Sequence, residues 1–294
     1  MSSSGSDSSV SSFAAYIASL PSAKRVAVYG VSANPPHNGH KAIVTYLANG
    51  SNSSNSNSSG NDNAFDSIWI VPVYKHMYAS KQGLASYDDR LAMSRLCFEQ
   101  CSTSRCVVRV LDIERECTNA IQTHAINTGS SESVRVGTID VLNYIKAHTS
   151  HLDIDLHLVL SSETYNDLVT NKWKLSQDIV NMVTLQVISR EGFELTDRPT
   201  VQNIRSSLHR DVPMVGVSGV SSTSIRDYDL SILEFFGVYR RSDLDPKVFD
   251  YIRRRRLYFF EQEQTSIRMR ALSLVAISLA SFSVALLLSR KRLG

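Results

Sequence analysis

Short apolar runs alternate along this chain with longer segments whose apolar residues recur at helical spacing. The first run, Val26 to Tyr29, is closed by Gly30 and reads as a buried strand. A turn held by Pro35 and Pro36 follows, and from Asn38 the placing of Ile43, Val44, Tyr46 and Leu47 predicts a helix. The same pairing recurs: a strand at 67–73 with a helix at 86–101, then strands at 107–111, 154–160 and 182–188 and a short one at 215–217. A helix starts at Gly137–Thr138 and continues through Tyr144 and Ile145, with Thr138 placed as its N-cap. Strand and helix in alternation predict an α/β fold with a parallel sheet.

Polar stretches punctuate this pattern. Residues 1–23 open with a run of Ser, Gly and Asp and are expected to be a disordered tail, and 49–63, rich in Ser and Asn, a flexible loop. Such a loop joins a helix end to a strand start, on the sheet edge opposite the one where α/β proteins bind ligands. The 294 residues, 43% hydrophobic and 20% charged, suffice for a sizeable core. A net charge of +3 gives no reason to expect nucleic acid. Cys97, Cys101, Cys106 and Cys117 lack C-x-x-C spacing, so neither a zinc site nor a disulfide scaffold is expected, and no metal ligand set is predicted.

The candidate chemistry lies where the first strand meets its helix. The first N–H groups of a helix have no internal partner and carry partial positive charge, so an anion binds there. His37 and His40 add donors over the same point, and Gly39 leaves the backbone open to a phosphate. A second anion-binding pattern runs from Val220 through Ser221, Ser222, Thr223, Ser224 and Ile225 to Arg226, with hydroxyls at a helix start and a guanidinium one turn on. Read alone, such hydroxyls are caps and such histidines are surface groups; the two patterns in one chain favour a polyphosphate. The basic loop with Lys75, His76 and Lys81 after the second strand fits either an anion site or solvated charge.

Gly30, Ser32, Pro35, His37, Gly39 and His40 resemble the G-[GT]-[ST]-F-x-P-x-H-x-G-H signature of the nucleotidyltransferase superfamily, with Val31 and Ala33 departing from it. Ser221 to Arg226 is similar to that superfamily's triphosphate element. Arg90 to Met93, Thr138 to Leu142, Trp173–Lys174, Arg190 to Gly192 and the 246–258 terminus resemble the branch that adenylylates nicotinate or nicotinamide mononucleotide. The resemblance covers roughly 24–258 and implies a Rossmann-like nucleotidyltransferase domain over 24–260. It implies His37, His40 and Arg226 as catalytic residues, with Gly30, Ser32, Gly39, Ser222 and Thr223 holding ATP. Thr138, Glu163, Trp173, Lys75 and Arg190 would hold the mononucleotide, and Mg²⁺ would arrive with ATP. Ser161 and Glu163 stand where the family has Gly and Asp, which keeps an acid at the fourth strand's end with one methylene more reach.

Beyond a linker at 261–270, residues 271–288 carry no charge and would rise about 27 Å as a helix, near the ~30 Å of a hydrocarbon core. A transmembrane helix over 271–289 is therefore expected, anchoring the chain through its C-terminus with the enzyme domain in the cytosol. An interfacial or intersubunit helix is the alternative. The expected reaction is adenylyl transfer from ATP to nicotinate or nicotinamide mononucleotide, giving the dinucleotide and pyrophosphate. Its partners would be ATP, the mononucleotide and a lipid bilayer, with a homo-oligomer left open. The alternatives are a cytidylyltransferase making a phospholipid precursor and an inactive, membrane-anchored nucleotide-binding scaffold.

Overall fold

The computed structural model describes residues 12–20, 25–50, 64–75, 84–129, 135–189, 192, 194–210, 212–213, 221–227 and 243–258. Six strands form one parallel sheet: β1 (Arg25–Val31), β2 (Ser67–Pro72), β3 (Val107–Val110), β4 (Asp155–Ser161), β5 (Thr184–Ile188) and β6 (Ser206–His209). Their order is β3-β2-β1-β4-β5-β6, the doubly wound arrangement in which the chain turns back between β1 and β4. Ligands in such sheets bind in the crevice beyond the strand C-termini at that switch point.

Both faces of the sheet are covered, which is why its strands read as continuous apolar runs. Alternate residues serve opposite sides. Ala27, Tyr29, Ile68, Ile70, Val108 and Val110 join one core with α2 (Asn38–Asn49), α3 (Tyr87–Phe98) and the last described helix, α9 (Pro246–Arg255). Val26, Val28, Trp69, Val71, Leu156 and Leu158 join the other, under α4 (Ile113–Asn127), α5 (Thr138–Thr149), α6 (Ser162–Val169) and α7 (Ser176–Met182).

The expected disordered tail at 1–23 is corrected in its second half. Residues Phe13–Ala18 form α1, and Phe13 and Ile17, one helical turn apart, are buried against Trp69 of β2. The Phe13 ring meets the Trp69 ring edge-on at 5.4 Å, and Glu116 accepts the Phe13 N–H at 3.0 Å. The fully buried indole of a central strand needs this cover. The N-cap of α5 is Gly137, not Thr138: the Asp140 carboxylate accepts the Gly137 N–H at 2.9 Å, a bond that needs no side chain on the cap residue. Strand β6 is at Ser206–His209, pairing with β5, whereas 215–217 lies outside the described residues. Helix α4, absent from the predicted elements, fills the crossover after β3. Residues 51–63, His76, Lys81, Arg190 and the linker and transmembrane span at 261–289 also lie outside the described residues. Among the described residues no helix is long and apolar enough to cross a membrane.

Candidate active site

The turn from β1 to α2 opens at the switch point. His37 is the N-cap of α2, and its Nδ1 accepts the Gly39 N–H at 3.2 Å; His40, three residues on, accepts the His37 N–H on its own Nδ1 at 3.4 Å. This is a capping box built from two imidazoles, whose rings lie 3.8 Å apart. Because both Nδ1 atoms accept, the network assigns the proton of each neutral ring to Nε2, so both rings are donors on that edge. Two donor edges over the start of a 12-residue helix offer an anion the groups and the dipole that would suit it. Gly30, exposed at the end of β1, has nothing within 4 Å of where a Cβ would stand, so the space over the strand end is open.

The turn is held from behind by charge. Arg90 of α3, 3% exposed, donates to four carbonyls: Ser32 at 3.0 Å and Val73 at 2.6 Å from Nη1, Tyr74 at 3.3 Å from Nη2, and Ala85 at 3.3 Å from Nε. One guanidinium thus fixes the loops after β1 and β2 together, its fork matching acceptors that a point charge could not reach at once. Asn34 is a second junction. Its Oδ1 accepts the Ala85 N–H at 3.0 Å and the Tyr258 hydroxyl at 2.8 Å, so the main-chain donor fixes which end of the amide is oxygen. Asp245, the N-cap of α9, accepts from Lys41 at 2.6 Å and Gln100 at 2.8 Å and so pins α9 to α2. Burial alone would raise the Asp245 pKa, but hydrogen bonds from Lys41, the Lys247 N–H and Gln100 together hold it below the usual carboxylate range.

The second anion-binding pattern lands on the first. Ser222 and Thr223 open α8 (Ser222–Asp227), and the Ser222 hydroxyl donates to the Pro35 carbonyl at 2.9 Å. Arg226 donates to the Asn34 carbonyl at 2.5 Å and to the Thr223 hydroxyl at 3.2 Å. The structure therefore brings Gly30, Ser32, His37, Gly39, His40, Ser222, Thr223 and Arg226 into one neighbourhood, although nearly two hundred residues separate the two patterns. Its donors are imidazole, hydroxyl, guanidinium and main-chain N–H groups. Among the described residues no cluster of His, Cys, Asp and Glu is composed to hold a metal ion.

The residues expected at the mononucleotide are placed around the same edge. Lys75 follows β2 and is exposed; Glu163, also exposed, is in the first turn of α6 directly after β4. Thr138 is the first residue of α5, whose C-terminus feeds β4, so this helix runs antiparallel to the strands and begins at their C-terminal edge. Trp173, half-buried on the second core, adjoins Lys174, whose ammonium is 3.2 Å from Asp140 in the first turn of α5. Arg190 lies outside the described residues. Ser161, read as the counterpart of a family glycine, caps α6 by accepting the Thr164 N–H at 3.4 Å.

Sequence reasoning did not find the supporting roles of Asn34, Glu114 or Tyr258. Glu114 accepts the Tyr74 N–H at 2.9 Å and also binds the Lys75 N–H, fixing the loop that carries Lys75. Burial pushes its pKa up to about 7 against those two bonds and the nearby Arg90 charge. The four cysteines are free and buried, and burial pushes the Cys106 thiol up to about 12 and the Cys117 thiol up to about 11, so they stay protonated.

Known proteins resemble this chain in sequence and in fold. The chain is 27% identical over 202 residues to a probable nicotinate-nucleotide adenylyltransferase of Chlorobaculum tepidum, covering 69% of this chain and 85% of the relative. It is 24% identical over 192 residues to one of Myxococcus xanthus, covering 65% and 82%. Among solved structures, the fold is similar to the Plasmodium falciparum nicotinic acid mononucleotide adenylyltransferase complexed with APC, at a TM-score of 0.56 and 17% identity over 81% of this chain and 98% of that one. The same enzyme complexed with NaAD aligns equally, at 18% identity. The profile of the Cytidylyltransferase-like family matches residues 28–228, so this chain belongs to the Cytidylyltransferase-like family.

Proposed function

We propose that this protein transfers the adenylyl group of ATP to nicotinate mononucleotide, or to its amide. A phosphate oxygen of the mononucleotide attacks the α-phosphorus of ATP in line, the bond to the β-phosphate bridging oxygen breaks, and pyrophosphate leaves. The observation that carries this reading is the seating of Ser222 and Arg226 on the carbonyls of Pro35 and Asn34, beside the paired imidazoles of His37 and His40. That arrangement is suited to a triphosphate, and the curated relatives named above are nicotinate-nucleotide adenylyltransferases.

Such a reaction asks for alignment and charge neutralisation more than covalent chemistry. The Nε2–H edges of His37 and His40 face the α-phosphate, Arg226 takes the charge that develops on the departing pyrophosphate, and Gly30, Ser32, Gly39, Ser222 and Thr223 contact the nucleotide. Thr138, Glu163, Trp173, Lys75 and Arg190 hold the mononucleotide, the indole stacking on the pyridine ring. The donor set fits a triphosphate that brings its own Mg²⁺, which supplies further neutralisation of phosphate charge when bound. The uncharged run at 271–289 anchors the chain in a bilayer with the catalytic domain on the cytosolic side.

The test is pyrophosphate release by the full-length protein in detergent, with ATP, Mg²⁺ and each pyridine mononucleotide in turn, beside His37→Ala. Turnover with nicotinate mononucleotide that the substitution abolishes is the expected result. Turnover only with CTP and phosphocholine would replace this reading by the phospholipid-precursor reaction. ATP binding without turnover on any acceptor would make the protein a nucleotide-binding scaffold.

A further inference from the structure

The last turn of α9 carries Arg253, Arg254 and Arg255, Arg256 follows as its C-cap, and the structure divides them. Arg255 turns toward α3, where its Nε is 3.1 Å from the Asp89 carboxylate; the Tyr251 hydroxyl donates to that same oxygen at 2.9 Å, and Val248 and Ile252 complete the inward face. At about 100° per residue, Arg253 and Arg254 fall on the side away from that face and Lys247 on its flank, and Arg256 stands at the C-cap beyond the helical turns. All four are exposed, and the one acid among them is Asp250, so the outward face carries a net charge of +3. Arg253, Arg254, Arg256 and Asp250 line an open concavity of about 610 Å³.

Three cations at a helix C-terminus suit its dipole, and Arg255 alone among them carries the ion pair that packs this end on α3. A solvated helix end does not need its basic residues gathered around a shallow concavity, with fourteen residues between it and an uncharged run preceded by Arg268 and Arg270. A linker between Tyr258 and Ala271 spans at most about 45 Å, so in a chain anchored at 271–289 this face is within reach of the headgroup layer. We infer that the outward face of α9, formed by Lys247, Arg253, Arg254 and Arg256, binds anionic lipid headgroups. The inference rests on the reading of 271–289 as a membrane span, and a different readout reports on each.

Each cation held at an anionic surface adds about fivefold to the partition coefficient, and the interaction is screened beyond about 8 Å at physiological salt. The experiment is flotation of the full-length protein with phosphatidylcholine vesicles and with vesicles containing about one third phosphatidylserine. Flotation with neutral vesicles reports the span. The increment on anionic vesicles, expected on the order of a hundredfold and falling with added salt, reports the basic face. R253Q/R254Q/R256Q should keep neutral flotation and pyrophosphate release while losing the increment, since among the described residues Arg254 bonds only within its own helix, to the Asp250 carbonyl at 3.3 Å, and the three side chains are exposed. Equal flotation of the wild type on both vesicle types, or an undiminished increment in the triple variant, would overturn the inference. Absence of neutral flotation with the increment intact would overturn only the span.

Discussion

Replacing Arg90 by Lys tests whether the active-site turn is held by a fork or merely by a charge. Lysine keeps the charge and much of the stem, but its ammonium is a single point. The acceptors lie on three edges of the guanidinium: Ser32 and Val73 at Nη1, Tyr74 at Nη2 and Ala85 at Nε. An ammonium placed for the first pair leaves the Tyr74 and Ala85 carbonyls without a donor in a site that is 3% exposed. A buried polar group left without its partner costs about 1–3 kcal/mol, and little solvent screening applies here, so two of them predict a loss of about 2–6 kcal/mol. Arg90→Met would strand all four carbonyls and consume most of the ~5–15 kcal/mol of a typical domain, which makes Lys the informative variant.

The assay has two parts. Urea unfolding at constant m-value gives the stability change. The Michaelis constant for ATP reports the turn, because the Ser32 carbonyl that Arg90 holds lies between Gly30 and His37, and a misplaced nucleotide site raises KM as well as lowering kcat. A Lys variant within about 0.5 kcal/mol of the wild type, with unchanged kinetics, would show that the fork geometry is not needed and would refute the reasoning.

Three further outcomes are expected. Glu114 holds its proton up to about 7 in the folded chain but releases it near ~4.3 when unfolded, so between those values the folded state binds more protons and stability falls as pH rises; Glu114→Gln should flatten that slope in a pH series of unfolding curves. Phe13→Ala should cost about 3–5 kcal/mol and shift the emission of Trp69 to the red, whereas a tail that contributed nothing would leave both unchanged. Tyr258→Phe removes the donor to Asn34 while keeping the ring, and should raise the KM for ATP several-fold at a stability cost of about 1–2 kcal/mol; a loss of stability with unaltered KM would reduce Tyr258 to a packing residue.

The parts that the sequence made legible are those in which one local rule decides the outcome. Val26 to Tyr29 had to be a strand because an apolar run between a polar start and Gly30 has few other uses, and His37–Gly39–His40 had to lie at a helix start because the apolar spacing begins just after it. What escaped depends on contacts far apart in the chain. Phe13 and Ile17 are one helical turn apart, a signal that was present, yet two apolar residues after a serine run predict nothing until Trp69 appears beneath them. Asp140 takes the capping role from Thr138 because a carboxylate at the third helical position reaches back to the Gly137 N–H, a rule readable in Gly-Thr-Ile-Asp. Strand β6 contains Ser206, Ser207 and His209, which no hydropathy rule selects; it forms because β5 offers it an open ladder and Gln186 a partner for His209 at 2.7 Å.

The same distinction explains how a site with no nucleophile of its own can be exact in position. The groups that would touch phosphate are tied in place: the imidazole pair by its own helix cap, and, through bonds to distant segments, Arg226 by the Asn34 carbonyl, Ser222 by Pro35, and the turn that joins them by Arg90 and Tyr258. These ties come from α2, α3, α8 and the segment after α9, so the turn forms fully only when the sheet and its helices have assembled. A donor fixed by folding need not be reorganised when charge develops on a bridging phosphate oxygen, and that preorganisation lowers the barrier. Loosening a tie should therefore act on the rate of adenylyl transfer through distance from the chemistry: a substitution at Tyr258, beyond α9, reaches the phosphate through Asn34, whereas one at Arg253 on the outer side of the same helix does not.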